Sequence, residues 1–324
     1  MATRPSVLVT RRLPPAVEAV LRDTFDVTLS SDDAAMSPEA LQRALGSVDA
    51  ILSTVTDRFT AEVLAAYPIR TRLIANFGVG VDNIDLPAAH AHGIAVSNTP
   101  GVLTDCTADL TMTLLMMVLR RAGEGEREVR GGRWMGWAPT RMLGRRVTGR
   151  TLGIIGVGRI GRAVARRAHF GFDMRVLGYS PRAVPGPELE GCGIELCPSL
   201  DTLLAASDVV SLHCPSTLDT RGMMNATRLA QLSPGAFLIN TARGDIIVED
   251  ALVAALDSGH LAGAGLDVYR DEPAVARRLL GRDNVVLLPH LGSATRETRE
   301  EMGFLAVQNL RAFFAGEELP SRVI

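Results

Sequence analysis

Leu152-Gly153-Ile154-Ile155-Gly156-Val157-Gly158-Arg159-Ile160-Gly161 is the stretch on which the reading of this chain turns. An apolar run ends at Gly156, and a G-x-G-x-x-G spacing opens a helix expected to reach about Phe170. Each glycine has a mechanical role: a tight strand-to-helix turn, close approach of a pyrophosphate, and close packing of helix on strand. The start of the helix offers unpaired N–H groups and a positive dipole end, which hold phosphate without a cation. The spacing alone is weak, since glycine-rich turns also arise by chance. Here a strand precedes it, a helix follows, and a second strand comes at Arg175–Ser180, which is the setting a dinucleotide site requires.

The end of that second strand bears on cofactor choice. An acid there accepts hydrogen bonds from the ribose of NAD, whereas space and an arginine accommodate the 2′-phosphate of NADP. The chain reads Gly178-Tyr179-Ser180-Pro181-Arg182, with Asp173 too early and Glu188 beyond a Pro/Gly-rich loop. A hydroxyl and a guanidinium suit a phosphate, so NADP(H) is favoured and NAD(H) stays open. The bland alternative makes Arg182 a solvated loop residue.

Working outward, 324 residues suggest two domains. The series begun by the fingerprint has six expected strands, at Leu152–Ile155, Arg175–Ser180, Asp208–Cys214, Ala236–Ala242, Gly263–Tyr269 and Val285–Pro289. Interleaved with helices, they fit a doubly wound dinucleotide fold. The first hundred residues alternate in the same way. Strands are expected at Ser6–Thr10, Asp49–Thr54, Arg72–Phe77 and Ala95–Asn98, with helices from Pro14-Pro15, over Ser37–Leu45, Thr60–Tyr67 and Pro87–His92. One long helix is expected from Thr104 to about Arg130, broken by Gly131-Gly132. The irregular Arg133–Arg150 follows, where Trp134 and Trp137 either anchor an interface or cap local core. A last helix runs from about Thr295 to Ala315, with Gly316 as its C-cap.

Composition excludes several chemistries. All 34 basic residues are arginine, which removes a Walker A lysine, a pyridoxal Schiff base and a lysine aldolase mechanism together. A net charge of −2 gives no reason to expect nucleic acid or an anionic membrane as partner. Cys106, Cys192, Cys197 and Cys214 show neither zinc-type pairing nor a disulfide framework, so no metal is expected. The N-terminus does not read as a signal peptide, and the apolar run Leu110–Leu119 is too short to span a bilayer. A cytoplasmic setting is the expectation.

Three separated polar residues stand at strand ends: Arg243 in Asn240-Thr241-Ala242-Arg243-Gly244, Glu272 in Tyr269-Arg270-Asp271-Glu272-Pro273, and His290 in Leu288-Pro289-His290-Leu291-Gly292. Ligands of open α/β sheets bind outside the carboxyl ends of strands, where all three fall. Taken singly, Arg243 or Glu272 reads as a surface charge and His290 as a satisfied histidine. The other histidines, His90, His92, His169, His213 and His260, keep that bland reading.

Together with Asn76-Phe77-Gly78-Val79-Gly80-Val81-Asp82-Asn83-Ile84-Asp85 and Asn98-Thr99-Pro100-Gly101-Val102-Leu103-Thr104, these motifs resemble the D-isomer-specific 2-hydroxyacid dehydrogenase family, in its glyoxylate/hydroxypyruvate reductase branch. The resemblance implies two doubly wound parallel-sheet domains, Rossmann- and flavodoxin-like, with a cleft between them. Residues 1–101 and 290–324 would bind substrate. Residues 102–289 would bind the dinucleotide, with a dimerisation helix and arm over about 104–148. It implies a homodimer whose arm, around Trp134–Gly144, brings Trp137 of the partner subunit to the active site.

It also implies roles. Arg243 would clamp the carboxylate and carbonyl of a small 2-oxoacid, joined by backbone N–H groups of Val79 and Gly80. His290 would donate the proton, and Glu272 would pair with it and favour its charged form. Asp267 would meet the nicotinamide carboxamide, and Arg159 and Ile160 the pyrophosphate. Thr104, Gly156, Gly158, Gly161, Ser180, Arg182, Cys214, Pro215, Thr220, Thr241, Ala242, Arg243, His290 and Gly292 would complete the cofactor site. Ser53, Thr54 and Leu103 are expected near the substrate's far end.

Related enzymes narrow this. Phosphite dehydrogenases resemble the chain but carry lysine where Val79 stands, and formate dehydrogenases pair the histidine with glutamine rather than a Glu272. D-lactate and phosphoglycerate types stay open, as does a corepressor-like protein that senses the dinucleotide, although flexible tails are expected of the latter.

Overall fold

Leu73-Ile74-Ala75-Asn76-Phe77 is buried at every position, as a strand covered on both faces by crossover helices must be. In the computed structural model, which describes residues 4–31, 33–65 and 68–324, this strand lies inside the sheet of the first of two units, Met1–Leu103 with Ser293–Ile324. That unit runs β1 (Ser6–Val9), α1 (Pro15–Thr24), β2 (Asp26–Leu29), α2 (Pro38–Ser47), β3 (Ala50–Thr54), α3 (Ala61–Leu64), β4 (Leu73–Phe77), α4 (Leu86–Ala91) and β5 (Ala95–Ser97). All pairs are parallel, in the order β2-β1-β3-β4-β5, the flavodoxin-like winding. Register sets Ile51 beside Ile74 and Ile74 beside Val96, a continuous apolar row. Helix starts follow local chemistry: Ser37 accepts from Ala40 N–H, Thr60 from Val63 N–H and Asp85 from Ala88 N–H. The helix expected over Thr60–Tyr67 is seen as Ala61–Leu64; Ala66 and Tyr67 lie outside the described residues.

The second unit, Thr104–Gly292, runs α5 (Thr104–Leu119), α6 (Ala122–Arg130), β6 (Thr151–Ile155), α7 (Arg159–Phe172), β7 (Arg175–Tyr179), α8 (Pro187–Glu190), β8 (Ile194–Leu196), α9 (Leu200–Ala206), β9 (Val209–Leu212), α10 (Ala226–Ala230), β10 (Ala236–Asn240), a 3-10 turn (Gly244–Ile246), α11 (Glu249–Asp257), β11 (Leu261–Leu266), α12 (Arg277–Leu280) and β12 (Val285–Leu287). Its seven strands are parallel in the order β12-β11-β10-β9-β6-β7-β8. The winding reverses between β6 and β9, the switch point where such sheets bind ligands. One face packs on α5 and α7 through Leu114, Leu115, Ile154 and Val164; the other packs on α9 and α11 through Leu203, Leu238 and Leu252. A final helix, α13 (Arg296–Ala315), returns to the first unit and ends at Gly316 in the left-handed region, φ 72°.

Three expectations need correction. Two strands were not foreseen, β2 and β8, and both are short edge strands whose exposed positions break the apolar signal. The long helix expected from Thr104 to Arg130 is two helices. Leu119 carbonyl accepts Arg145 N–H at 2.7 Å, closing α5, and Arg121 turns left-handed at φ 53° before its guanidinium pairs with Glu124 at 2.6 Å. Neither tryptophan caps a core: Trp137 is 84% exposed, and Trp134 and Met135 are exposed beside it.

Candidate active site

β6 ends at Ile155, and Gly156 turns the chain at φ 101°, a backbone conformation that glycine adopts without a Cβ penalty. A Cβ on Gly156 would sit 2.6 Å from Cys214 N, and one on Gly161 would sit 2.1 Å from the Gly156 carbonyl oxygen. These two glycines therefore bring α7 and the end of β9 against the strand. A Cβ on Gly158 would meet nothing within 4 Å, so the middle glycine faces open space at the N-terminus of α7. That is the cradle a pyrophosphate needs, and the chain fits a dinucleotide there. Arg159 and Ile160 are the first residues of α7.

Across the switch point, the loop after β9 is held by Thr220, whose hydroxyl donates to the Pro215 carbonyl at 2.6 Å. Burial pushes the Cys214 thiol up to about 11, so it lies there as a neutral group. His213, bonded to the Ser211 hydroxyl at 2.8 Å, is pushed down to about 3 by desolvation. At the end of β7, Ser180 carbonyl accepts Ala183 N–H, and Arg182 is exposed.

On the other half of the sheet, the ends of β10, β11 and β12 carry Arg243, Glu272 and His290. Buried Asn240 shapes the first turn: its Nδ2 donates to the Arg243 carbonyl at 2.8 Å, and its Oδ1 accepts Ala242 N–H at 3.0 Å. A Cβ on Gly244 would lie 2.0 Å from the Tyr269 carbonyl carbon, so the Arg243 turn presses directly on the β11 turn. Glu272 Oε1 accepts Tyr269 N–H at 2.9 Å, and its Oε2 lies 2.8 Å from His290 Nδ1. Burial pushes the Glu272 carboxyl up. The hydrogen bond and charge of His290, the Tyr269 N–H and the charge of Arg243 outweigh it and hold Glu272 below the usual carboxylate range. The structure thus brings all three expected residues together.

His290 has a left-handed backbone, φ 55°, which is uncommon for a non-glycine and marks an over-determined turn. Fully buried Asp267 sustains it, accepting Leu291 N–H at 2.7 Å and Gly292 N–H at 2.9 Å. Burial raises the Asp267 carboxyl against the lowering effect of those N–H groups and of His290. Tyr269 hydroxyl donates to Leu288 carbonyl at 2.8 Å, tying the same turn to β11; burial and the neighbouring Asp267 and Glu272 push the phenol up to about 12. Thr107 on α5 donates to Gly292 carbonyl at 2.9 Å, while Thr111 shares a 2.9 Å bond with Thr241.

Asn240, Gly244, Tyr269, Thr107 and Thr111 were not singled out in the sequence. Only Asn240, a polar residue closing an apolar strand, carries a local signal. Thr104 opens α5 and is half-buried. Within the first unit, Val79 and Gly80 follow β4 in a half-buried turn. Leu103 is buried there as well, and Ser53 is fully buried and bonded to Asn76, so Ser53 underpins that turn rather than facing a ligand. His169 and His260 meet backbone carbonyls, as satisfied histidines do.

A doubly wound sheet with a glycine cradle at its switch point, and an arginine, a glutamate and a histidine gathered on its far strand ends, defines a dinucleotide-dependent type of protein. Residues 112–292 match the model of the D-isomer specific 2-hydroxyacid dehydrogenase NAD binding domain. A glyoxylate reductase of Thermococcus onnurineus is 45% identical over 324 residues, covering 99% of this chain and 96% of its own length. A glyoxylate reductase of Paecilomyes thermophila superposes with a TM-score of 0.87 at 36% identity, covering 100% of this chain and 99% of that one. The NADPH-dependent glyoxylate/hydroxypyruvate reductase of Sinorhizobium meliloti, solved with NADP and malonate, superposes with a TM-score of 0.85 at 38% identity, covering 99% and 97%. The chain belongs to the D-isomer-specific 2-hydroxyacid dehydrogenase family.

Proposed function

We propose that the protein reduces a small 2-oxoacid, glyoxylate or hydroxypyruvate, to the 2-hydroxyacid, with NADPH preferred over NADH. The observation that carries this reading is the His290–Glu272 pair at 2.8 Å, beside Arg243 and on the same sheet as the glycine cradle. Relatives described as glyoxylate reductases support the substrate class, and a neighbour solved with NADP supports the cofactor class.

The dinucleotide supplies the hydride when bound. Gly156, Gly158, Arg159, Ile160 and Gly161 cradle its pyrophosphate, Ser180 and Arg182 take the 2′-phosphate, and Thr104, Cys214, Pro215, Thr220, Thr241, Ala242, Asp267 and Gly292 line its course. His290, with Nδ1 engaged by Glu272, presents Nε2 to the carbonyl oxygen and delivers the proton there. Glu272 stays ionised and stabilises the imidazolium, as its lowered pKa favours. Arg243 binds the substrate's carboxylate and carbonyl oxygens through its planar fork, and Val79 and Gly80 offer backbone N–H groups to the carboxylate.

A homodimer fits the exposed apolar residues drawn from one stretch of chain, Val129, Trp134, Met135, Trp137 and Leu143, since clustered exposed apolar groups mark interfaces. In that assembly, Trp137 contributes to the partner's substrate site. Among the described residues no helix is long and apolar enough to cross a membrane. A cytoplasmic setting suits four cysteines that stand as free thiols.

Steady-state reduction of glyoxylate, hydroxypyruvate and pyruvate with NADPH and with NADH tests the reading. Turnover of the first two with NADPH is expected. Tight dinucleotide binding with no turnover of any 2-oxoacid would instead favour a dinucleotide-sensing binding protein.

A further inference from the structure

Past β4 the backbone carbonyls of three successive residues are all claimed by donors within the first unit. Thr99 N–H donates to the Gly78 oxygen at 3.0 Å, Asn98 Nδ2 to the Val79 oxygen at 2.8 Å, and Asn76 Nδ2 to the Gly80 oxygen at 2.9 Å. In a planar trans peptide the C=O and the following N–H point in opposite directions. Holding these three oxygens therefore turns the N–H groups of Val79, Gly80 and Val81 the other way. None of those three N–H groups has a protein acceptor among the described residues. Successive backbone N–H groups presented together form a concavity for an anion.

The two asparagines are not interchangeable with other polar groups. Asn76 is 1% exposed, and its Oδ1 accepts from Ser53 Oγ at 3.3 Å and Asn83 Nδ2 at 3.2 Å, which leaves its Nδ2 as the end that meets Gly80. Asn83 Nδ2 in turn donates to the Thr54 and Asp57 carbonyls, anchoring the network to the segment after β3. Asn98 is held by its own backbone, its N–H donating to the Ser321 carbonyl and its carbonyl accepting the Ser321 hydroxyl. A side-chain amide supplies a donor without a charge. An aspartate there would face a carbonyl oxygen with another acceptor and set a negative charge behind the anion.

We infer that Asn76 and Asn98 are positioning residues for the substrate's carboxylate, setting the Gly78–Val81 backbone so that its N–H groups face the anion. This rests on the proposed binding of that carboxylate by Val79 and Gly80.

The test uses the full chain saturated with its dinucleotide, with oxamate as a non-reacting carboxylate probe. Asn98→Ala should raise the Ki of oxamate and the KM of glyoxylate in parallel, by about tenfold, the equivalent of one charge-assisted hydrogen bond. Asn98→Asp should raise both further. kcat should stay within about twofold and dinucleotide Kd should not move, because the hydride and proton steps use other groups. A role in stability alone would lower Tm while leaving Ki in place. Wild-type Ki in a folded Asn98→Ala protein overturns the inference, and so does an equal loss in dinucleotide Kd. Asn98→Ser serves if the alanine variant does not fold. In the wild type, the amide NMR signals of Val79 and Gly80 should shift when oxamate is added. Silence there removes the carboxylate reading itself, and the inference with it. A shift there combined with an unchanged Ki in Asn98→Ala removes only the positioning role.

Discussion

His290 Nδ1 lies 2.8 Å from Glu272 Oε2, and the other oxygen of the same carboxylate accepts Tyr269 N–H at 2.9 Å. Glu272 is thus oriented from both ends, by the turn that carries it and by the histidine it serves. The carboxylate spends no freedom in finding its partner, which is what a positioned acid–base pair requires.

Glu272→Gln keeps the shape of the pair and removes its charge. With no carboxylate beside the ring to stabilise the charge that His290 carries as proton donor, kcat for reduction should fall while dinucleotide Kd stays near wild type. A wild-type kcat in the folded variant would remove Glu272 as the charge partner. Stability gives a second reading with a definite sign. Because the folded-state pKa of Glu272 is depressed, its contribution is full above the ordinary carboxyl pKa of about 4.3 and drains as pH falls through the lower folded value. The Tm difference between wild type and Glu272→Gln should therefore shrink on acidification below that point.

His290→Ala should cost about 10²–10⁴-fold in kcat, the span for a positioned proton donor, while dinucleotide Kd stays near wild type. Arg243→Ala should damage KM and kcat together, because its fork holds the carboxylate in the ground state and also meets the carbonyl oxygen, whose negative charge develops only in the transition state. Single-turnover reduction with binding measured separately checks both. Loss confined to KM in Arg243→Ala would reduce Arg243 to a binding residue.

Much of this was legible because the signals are local. The glycine spacing, the N-cap at Ser37, and a polar residue after each of three apolar strands can be read without knowing what packs on them. What escaped is long-range or marginal. Thr107 and Thr111 look like ordinary helix residues until α5 is laid against the turns at Thr241 and Gly292. The resemblance gives Asp267 a contact with the cofactor; that its oxygens also build the His290 turn only the fold reveals. β2 and β8 are edge strands, where exposure on one side erodes the apolar run. Arg120-Arg121 interrupts a helix by backbone conformation at Arg121, which leaves no mark on residue periodicity.

Cofactor preference is the next expectation. With no acid at the end of β7, kcat/KM should be higher with NADPH than with NADH. Arg182→Ala should erode that ratio by about ten- to a hundredfold, the worth of a hydrogen bond to a charged group. Equal or better use of NADH by the wild type would remove the assignment of Ser180 and Arg182.

The exposed arm yields a prediction on specificity. Trp137→Ala should change the ratio of hydroxypyruvate to glyoxylate turnover and leave NADPH affinity intact, since the side chain is 84% exposed in its own chain and is none of the proposed dinucleotide contacts. Sedimentation alongside kinetics separates loss of the proposed dimer from loss of a substrate contact. A variant that stays dimeric with an unchanged ratio would leave Trp137 an interface residue and nothing more.

The glycine cradle offers the sharpest separation of folding from binding. Gly161→Ala would drive a Cβ to 2.1 Å from the Gly156 carbonyl oxygen, a contact with backbone that no side-chain motion relieves, so Tm should fall and α7 should detach from β6. Gly158→Ala meets no atom within 4 Å and keeps an extended backbone at φ −74°, so stability should drop by no more than about 1 kcal/mol, the typical cost of alanine at an N-cap. Its new methyl group would stand in the space proposed for the pyrophosphate. Overlap of that kind costs about 1–3 kcal/mol, so dinucleotide Kd should rise roughly five- to a hundredfold in a protein that is otherwise whole. Thermal denaturation with and without dinucleotide reads both effects in one experiment. Gly161→Ala should melt early in either condition, while Gly158→Ala should melt close to wild type alone and lose the ligand-induced rise. A full ligand-induced rise in Gly158→Ala would mean that the pyrophosphate does not lie over this turn.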